Sequence, residues 1–117
     1  MSHIATVAAL RTTEGPIGEH TPKPTALTEG LTEASTTVWK DDRIETGLLE
    51  CTPGRFSARR DGYTEICTIL SGSVTVTEEG GQPVRFGPGD VMVMSSGWVG
   101  EWLVHEPLRK HYTTIDD

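Results

Sequence analysis

The chain has 117 residues, 35% of them apolar, and a formal net charge of −7. That length suits one domain rather than two. An acidic balance of this size argues against holding nucleic acid through a general basic field, and no apolar run approaches the roughly 18–20 residues of a membrane-spanning helix.

The opening MSHIATVAALRTTEG has an apolar patch but no basic leader before it, so no secretory signal is expected. Cys51 and Cys67 then read as free thiols in a reducing compartment, and the cytoplasm is the expected location. Residues 1–34 lack periodicity and are rich in Thr, Glu, Gly and Pro. The two prolines of TPKP favour extended backbone and exclude a helix there. Residues 1–34 are therefore expected to form an arm, irregular or swapped onto a partner, with at most one short strand; ATVAALRT could make only a short helix. From residue 35 to residue 117 the texture changes to short β-prone runs: STTVWKDD, ETGLLECT, RFSARR, YTEICTIL, GSVTVTEE, QPVRFG, DVMVMS, GEWLVHE and RKHYTTI. Turn chemistry separates them, including PG at 53–54, DG at 61–62, SG at 71–72 and GPGD at 87–90. Many short strands with no helical stretch among them predict an all-β sandwich or barrel. Val74 and Val76 alternate with Ser73, Thr75 and Thr77, as suits a strand with one buried face. GSVTVTEEGGQPVRFG predicts a hairpin, and DVMVM, apolar on both faces, predicts a deeply buried strand. The small core favours a homodimer in which pairing buries further apolar surface.

Residues 63–112 resemble the cupin superfamily. A glutamate, six residues and a glycine end the first cupin motif, as Glu65 and Gly72 do in EICTILSG; Pro88-Gly89-Asp90 opens the second, with Ser95-Ser96-Gly97 where a P-x-G would stand. Glu65–Gly72, Gly97-Trp98 with Trp102, and the tail EPLRKHY are similar to the small cupins that include ureidoglycine aminohydrolase and ethanolamine-utilisation types. The resemblance implies a single antiparallel jelly-roll β-barrel. It also implies a site at Glu65, because metal-binding cupins place a His-x-His shortly before that glutamate and a histidine later. Here those places hold Ala58 and Arg60, or Arg59 and Asp61, and then Gly100. One carboxylate does not hold a transition metal tightly, so no metal and no other cofactor is expected.

In a strand over TEICTIL, Tyr63, Glu65, Cys67 and Ile69 share a face, which the resemblance turns into the barrel. Trp102 and Val104 share the face of Gly100, and Leu108, Lys110 and Tyr112 form one face of the last run, taken as the inward one because it carries Leu108. Arg59-Arg60 is expected to turn one member inward. His105 and His111 are placed on consecutive strands. A carboxylate inside such a barrel either pairs with Arg60, Lys110 or Arg109, or is desolvated, protonated and raised in pKa.

Two functional readings follow for a small-molecule ligand and no nucleic-acid or membrane partner. In the first, Glu65 is the acid/base of a metal-independent enzyme acting on a small polar, nitrogen-containing metabolite. Tyr63, Arg60, Cys67, Trp102, Lys110 and Tyr112 would line the substrate and Trp98 would cover it. In the second, the same residues form a non-catalytic binding or sensing module. Structural roles compete with both: an ion-paired Glu65, a buried Cys67 acting as a small hydrophobe, and tryptophans that fill the core.

Overall fold

The computed structural model describes Val7 and residues 15–117. Eight strands follow one another: β1 (Thr21–Pro22), β2 (Thr32–Lys40), β3 (Ile44–Cys51), β4 (Gly54–Arg59), β5 (Tyr63–Glu78), β6 (Pro83–Phe86), β7 (Val91–Met94) and β8 (Val99–Asp116). All pairings are antiparallel, and the described residues contain no helix. None is therefore long and apolar enough to cross a membrane. The protein is an all-β jelly-roll barrel.

Two long strands organise it. The first part of β5 (Tyr63–Thr68) lies between β7 and the end of β8, while its last part (Val74–Thr77) lies between β6 and the start of β8. β8 likewise pairs with β4 over Val99–Val104 and with β3 over Leu108–Ile115. Both strands thus pass from one sheet into the other, through register shifts between Ile69 and Val74; bulges of this kind are how strands turn sandwich corners. Gly72 sits at the corner with φ +86°, and a Cβ there would lie 2.3 Å from the Pro107 carbonyl oxygen. The expected break at Ser71-Gly72, and the separation of GEWLVHE from RKHYTTI, are corrected accordingly. Gly72 and Pro107 bend continuous strands rather than end them. His105 and His111 consequently lie on one strand; His105 bonds Thr75 and His111 bonds Thr46.

Inward residues from both sheets make the core. Ile69, Val74, Trp102, Val104 and Leu108 are 2% exposed or less, and Phe56, Met92 and Met94 pack with them. The β5–β6 hairpin closes across Gly80 and Gly81, with Val74 opposite Phe86. DVMVM is only half buried: Met92 and Met94 face the core, whereas Val91 and Val93 are each 61% exposed because β7 lies on the surface with one face covered.

Within residues 1–34, β1 pairs with β2, and Leu31 and Ala34 are buried. Residues 25–28 run along β4, where Leu27 N–H donates to Arg55 and Ser57 N–H to Thr25. ATVAALRT, apart from Val7, lies outside the described residues, as does the rest of the arm before Gly15.

Candidate functional site

Glu65 lies on the inward face of β5 between β7 and β8, 6% exposed. Two cations flank it. Lys110, on the inward face of β8 beside Leu49 of β3, donates from Nζ to Glu65 Oε2 at 2.7 Å. Arg60 leaves the end of β4 and brings Nε to 3.3 Å from Oε1. Its backbone is fixed by two hydrogen bonds to the next turn, from its own N–H to the Trp98 carbonyl and from the Gly97 N–H to its carbonyl. This anchoring turns Arg60 inward, with 8% exposure, and leaves Arg59 in solvent. Burial alone would raise the Glu65 pKa. The charges of Lys110 and Arg60, with the Lys110 hydrogen bond, outweigh it and hold the carboxyl below its ordinary value. Of the two states open to a buried carboxylate, the structure has the ion-paired one.

A cavity of about 320 Å³ opens beside this triad. Its apolar wall is Leu49, Phe56, Ala58, Trp102 and Leu108. Phe56 stacks on Trp102 at 5.6 Å between centroids, and Lys110 Nζ lies 4.5 Å from the centroid of Trp102. Its rim carries Lys23, Arg59 and Tyr63. The Tyr63 hydroxyl donates to the Arg59 carbonyl at 3.3 Å, and Lys23 bonds Glu33 at 2.5 Å while lying over Phe56.

Of the residues singled out from the sequence, Arg60, Tyr63, Glu65, Trp102 and Lys110 meet at this cavity. Cys67 shares the Glu65 face but is 1% exposed in the packed core, and burial pushes its thiol up to about 11. The nucleophilic thiolate is therefore scarce at neutral pH. Tyr112 is buried on the Lys110 face, but its hydroxyl turns away and donates to Glu45 at 2.7 Å. Gly47 permits this reach, since a Cβ there would stand 2.9 Å from the hydroxyl. Trp98 does not cover the Glu65 cavity. It lines a separate, mostly apolar cleft of about 210 Å³ with Val84, Phe86, Met92 and Val93. Phe56, Ala58 and Lys23 are site residues that sequence reasoning missed. The first two share the period-two phase of Arg60 in RFSARR, a usable signal; Lys23 arrives from the arm with no local signal at all.

The donor set does not fit a metal ion. Both Glu65 oxygens face cations, Lys110 and Arg60, which would repel a metal, and the Cys67 thiol that also bonds it is held protonated by burial. Among the described residues no three His, Cys, Asp or Glu side chains form a metal-holding group. Gly100, where a histidine would be needed, is closed to side chains: a Cβ would lie 2.4 Å from the Thr77 carbonyl oxygen and 2.5 Å from the Trp98 ring. Arg60 and Lys110 supply the positive charge that balances the carboxylate.

A jelly roll whose inner face carries this glutamate defines the cupin class. Residues 38–112 match the family model described as the EutQ-like cupin domain, and the chain belongs to that family. Among similar solved structures is the EutQ protein of Clostridium difficile, 18% identical, covering 74% of this chain and 70% of that one, with a TM-score of 0.66. A putative ethanolamine utilization protein Q from Salmonella typhimurium is 20% identical over 83% of this chain and 78% of that one, also at 0.66. A DUF861 family protein of Thermotoga maritima is 35% identical over 56% of this chain and 73% of that one, at 0.53. No functionally curated protein matches the sequence.

Proposed function

We propose that this cupin is a non-catalytic module that binds a small molecule in the cavity beside Glu65. The observation that carries the reading is the clamp on that carboxylate. With Lys110 on one oxygen, Arg60 beside the other and its pKa lowered, Glu65 stays ionised, holds no proton to donate, and is a weak base. Cys67 adds no nucleophile, and Tyr112 is engaged elsewhere. What is left is a small concave site with an aromatic wall and convergent charges, features that suit binding. Acid/base chemistry on a nitrogen-containing metabolite would first require Glu65 to be released from both cations.

A thermal-shift screen of small metabolites against wild type and Glu65→Gln tests this reading. Ligands that raise the melting temperature and are recovered unchanged support it. Turnover of any stabilising ligand, lost in Glu65→Gln, establishes the enzyme instead. We also infer a homodimer in the cytoplasm. The exposed Val84, Val91 and Val93 on the surface strands β6 and β7 support the pairing, and the two buried free thiols suit a reducing compartment. A monomer by light scattering at micromolar concentration counts against the dimer.

A further inference from the structure

The charge at the cavity runs against the charge of the molecule. The protein carries a net −7, yet four cations line this one cavity, Lys23, Arg59, Arg60 and Lys110, against a single carboxylate, Glu65. Lys23 is balanced by Glu33, and Arg59 stands exposed in solvent. Buried Arg60 and Lys110 therefore share one buried carboxylate, and the enclosed group keeps one positive charge in excess. An unbalanced buried charge is costly, and a ligand of charge −1 would cancel it.

The unused hydrogen-bond donors point the same way. Lys110 has three N–H donors and gives one to Glu65. Arg60 Nε is buried without a well-aligned acceptor, despite lying near Glu65. The indole N–H of Trp102 is also buried without an acceptor, sealed behind the cavity wall rather than open to it. Donors are in surplus and acceptors are short, a deficit that an anion fills and an amine deepens. The stacked Phe56–Trp102 wall with Leu49 and Leu108 offers the other half of the site a flat, apolar body.

We propose that the ligand is a small organic monocarboxylate, its carboxylate held by Lys110 and Arg60 alongside Glu65 and its hydrocarbon part laid against Phe56 and Trp102. This rests on the binding role proposed above and gives it a chemical class. Two cations and two carboxylates then form a neutral group. The small volume, about 320 Å³, sits at the low end for ligand cavities and suits a short branched or single-ring acid.

Calorimetric titration of the full chain with benzoate and 2-methylpropanoate, beside benzamide, benzylamine and inorganic phosphate, tests the assignment. Benzoate is expected to bind at least about tenfold more tightly than benzamide, the difference of one charge-assisted contact, and benzylamine and phosphate more weakly still. Lys110→Met is expected to weaken benzoate by about tenfold or more. Glu65→Gln, which removes the competing carboxylate, is expected to tighten it. If either variant fails to fold by circular dichroism, the indole N–H resonance of Trp102 in wild type decides. It moves at a benzoate concentration about tenfold or more below the benzamide concentration that moves it, if the assignment holds. Equal binding of acid and amide, tighter binding of the amine, or equal competition by phosphate overturns the monocarboxylate and leaves the binding role standing. Failure of all five probes, and of the wider metabolite screen, overturns both.

Discussion

The two faces of β8 carry the same inventory in different settings. Inward, Glu65 meets Lys110 and Arg60. Outward, one residue before Lys110, Arg109 meets Glu50 at 2.6 Å, and His20 reaches the same carboxylate at 2.8 Å. Each is a carboxylate between two nitrogen bases, and in each the carboxyl is held below its ordinary value. The inner triad is enclosed by Trp102, Phe56 and Leu108. The outer one borders an open groove of about 460 Å³, where Arg109 also bonds the Gly15 carbonyl and His20 bonds Thr32. The outer triad thus fastens the arm to the sheet, while the inner one equips a cavity. What surrounds each triad decides which becomes a site: the inner one keeps a positive charge in excess beside a cavity, whereas the outer one, with the Arg109 side chain 11% and the His20 side chain 35% exposed, is tied up by the arm.

The largest expected effect separates the two. Lys110→Met should cost roughly 3–5 kcal/mol in urea unfolding, since it strands a buried carboxylate on a single partner, whereas Arg109→Met should cost less, since Glu50 keeps His20 and is itself partly exposed. Equal losses would erase the distinction. Next comes acid. Because the folded-state pKa of Glu65 is depressed, its contribution is complete above the ordinary value of 4.5 and disappears as pH falls through the lower folded value. The stability gap between wild type and Glu65→Gln should therefore be widest at neutral pH and close in acid, and the gap for Glu50→Gln should close in the same direction but from a smaller start. Tyr112→Phe, which removes the hydroxyl donated to Glu45, should cost about 1 kcal/mol. In wild type that phenol, pushed up to about 12, should ionise only in strongly alkaline solution in a spectroscopic titration. Smallest of all is a null result. Cys51 and Cys67, both pushed up to about 11 and both buried, should be silent to a thiol reagent in the folded protein at neutral pH and react only on unfolding. Prompt modification of one thiol would show that the inner face is more open than its burial implies.

Much of the fold was legible because strand periodicity is local. The alternation of Glu65, Cys67 and Ile69, and of Val74 and Val76, sets which side chains enter the barrel, and Leu108 places Lys110 on the buried face. The continuity of β5 and β8 was not legible. Gly72 and Pro107 carry the chemistry of turns, and only the partner strands, far away in sequence, show that the ladder continues past them. DVMVM misled for a related reason: apolar composition does not say whether a strand is covered on one face or two. At the site, Glu65 stood out as a charge in an apolar run, and Arg60 and Lys110 as its candidate partners. The Phe56–Trp102 stack, the approach of Lys23 and the separate cleft of Trp98 are products of how distant segments cross, which no local pattern encodes.

Because β5 and β8 each belong to both sheets, neither sheet can come apart without tearing the other. Tyr63 pairs with Asp116 at one extreme of their ladder and Glu78 with Gly100 at the other. The loop that the Tyr63–Asp116 pairing closes spans nearly the whole second half of the chain, which slows folding but ties the strands between to one event. A nick in either long strand should therefore release the entire barrel rather than a lobe of it, and amide protons on the two should exchange together, at the rate of global opening.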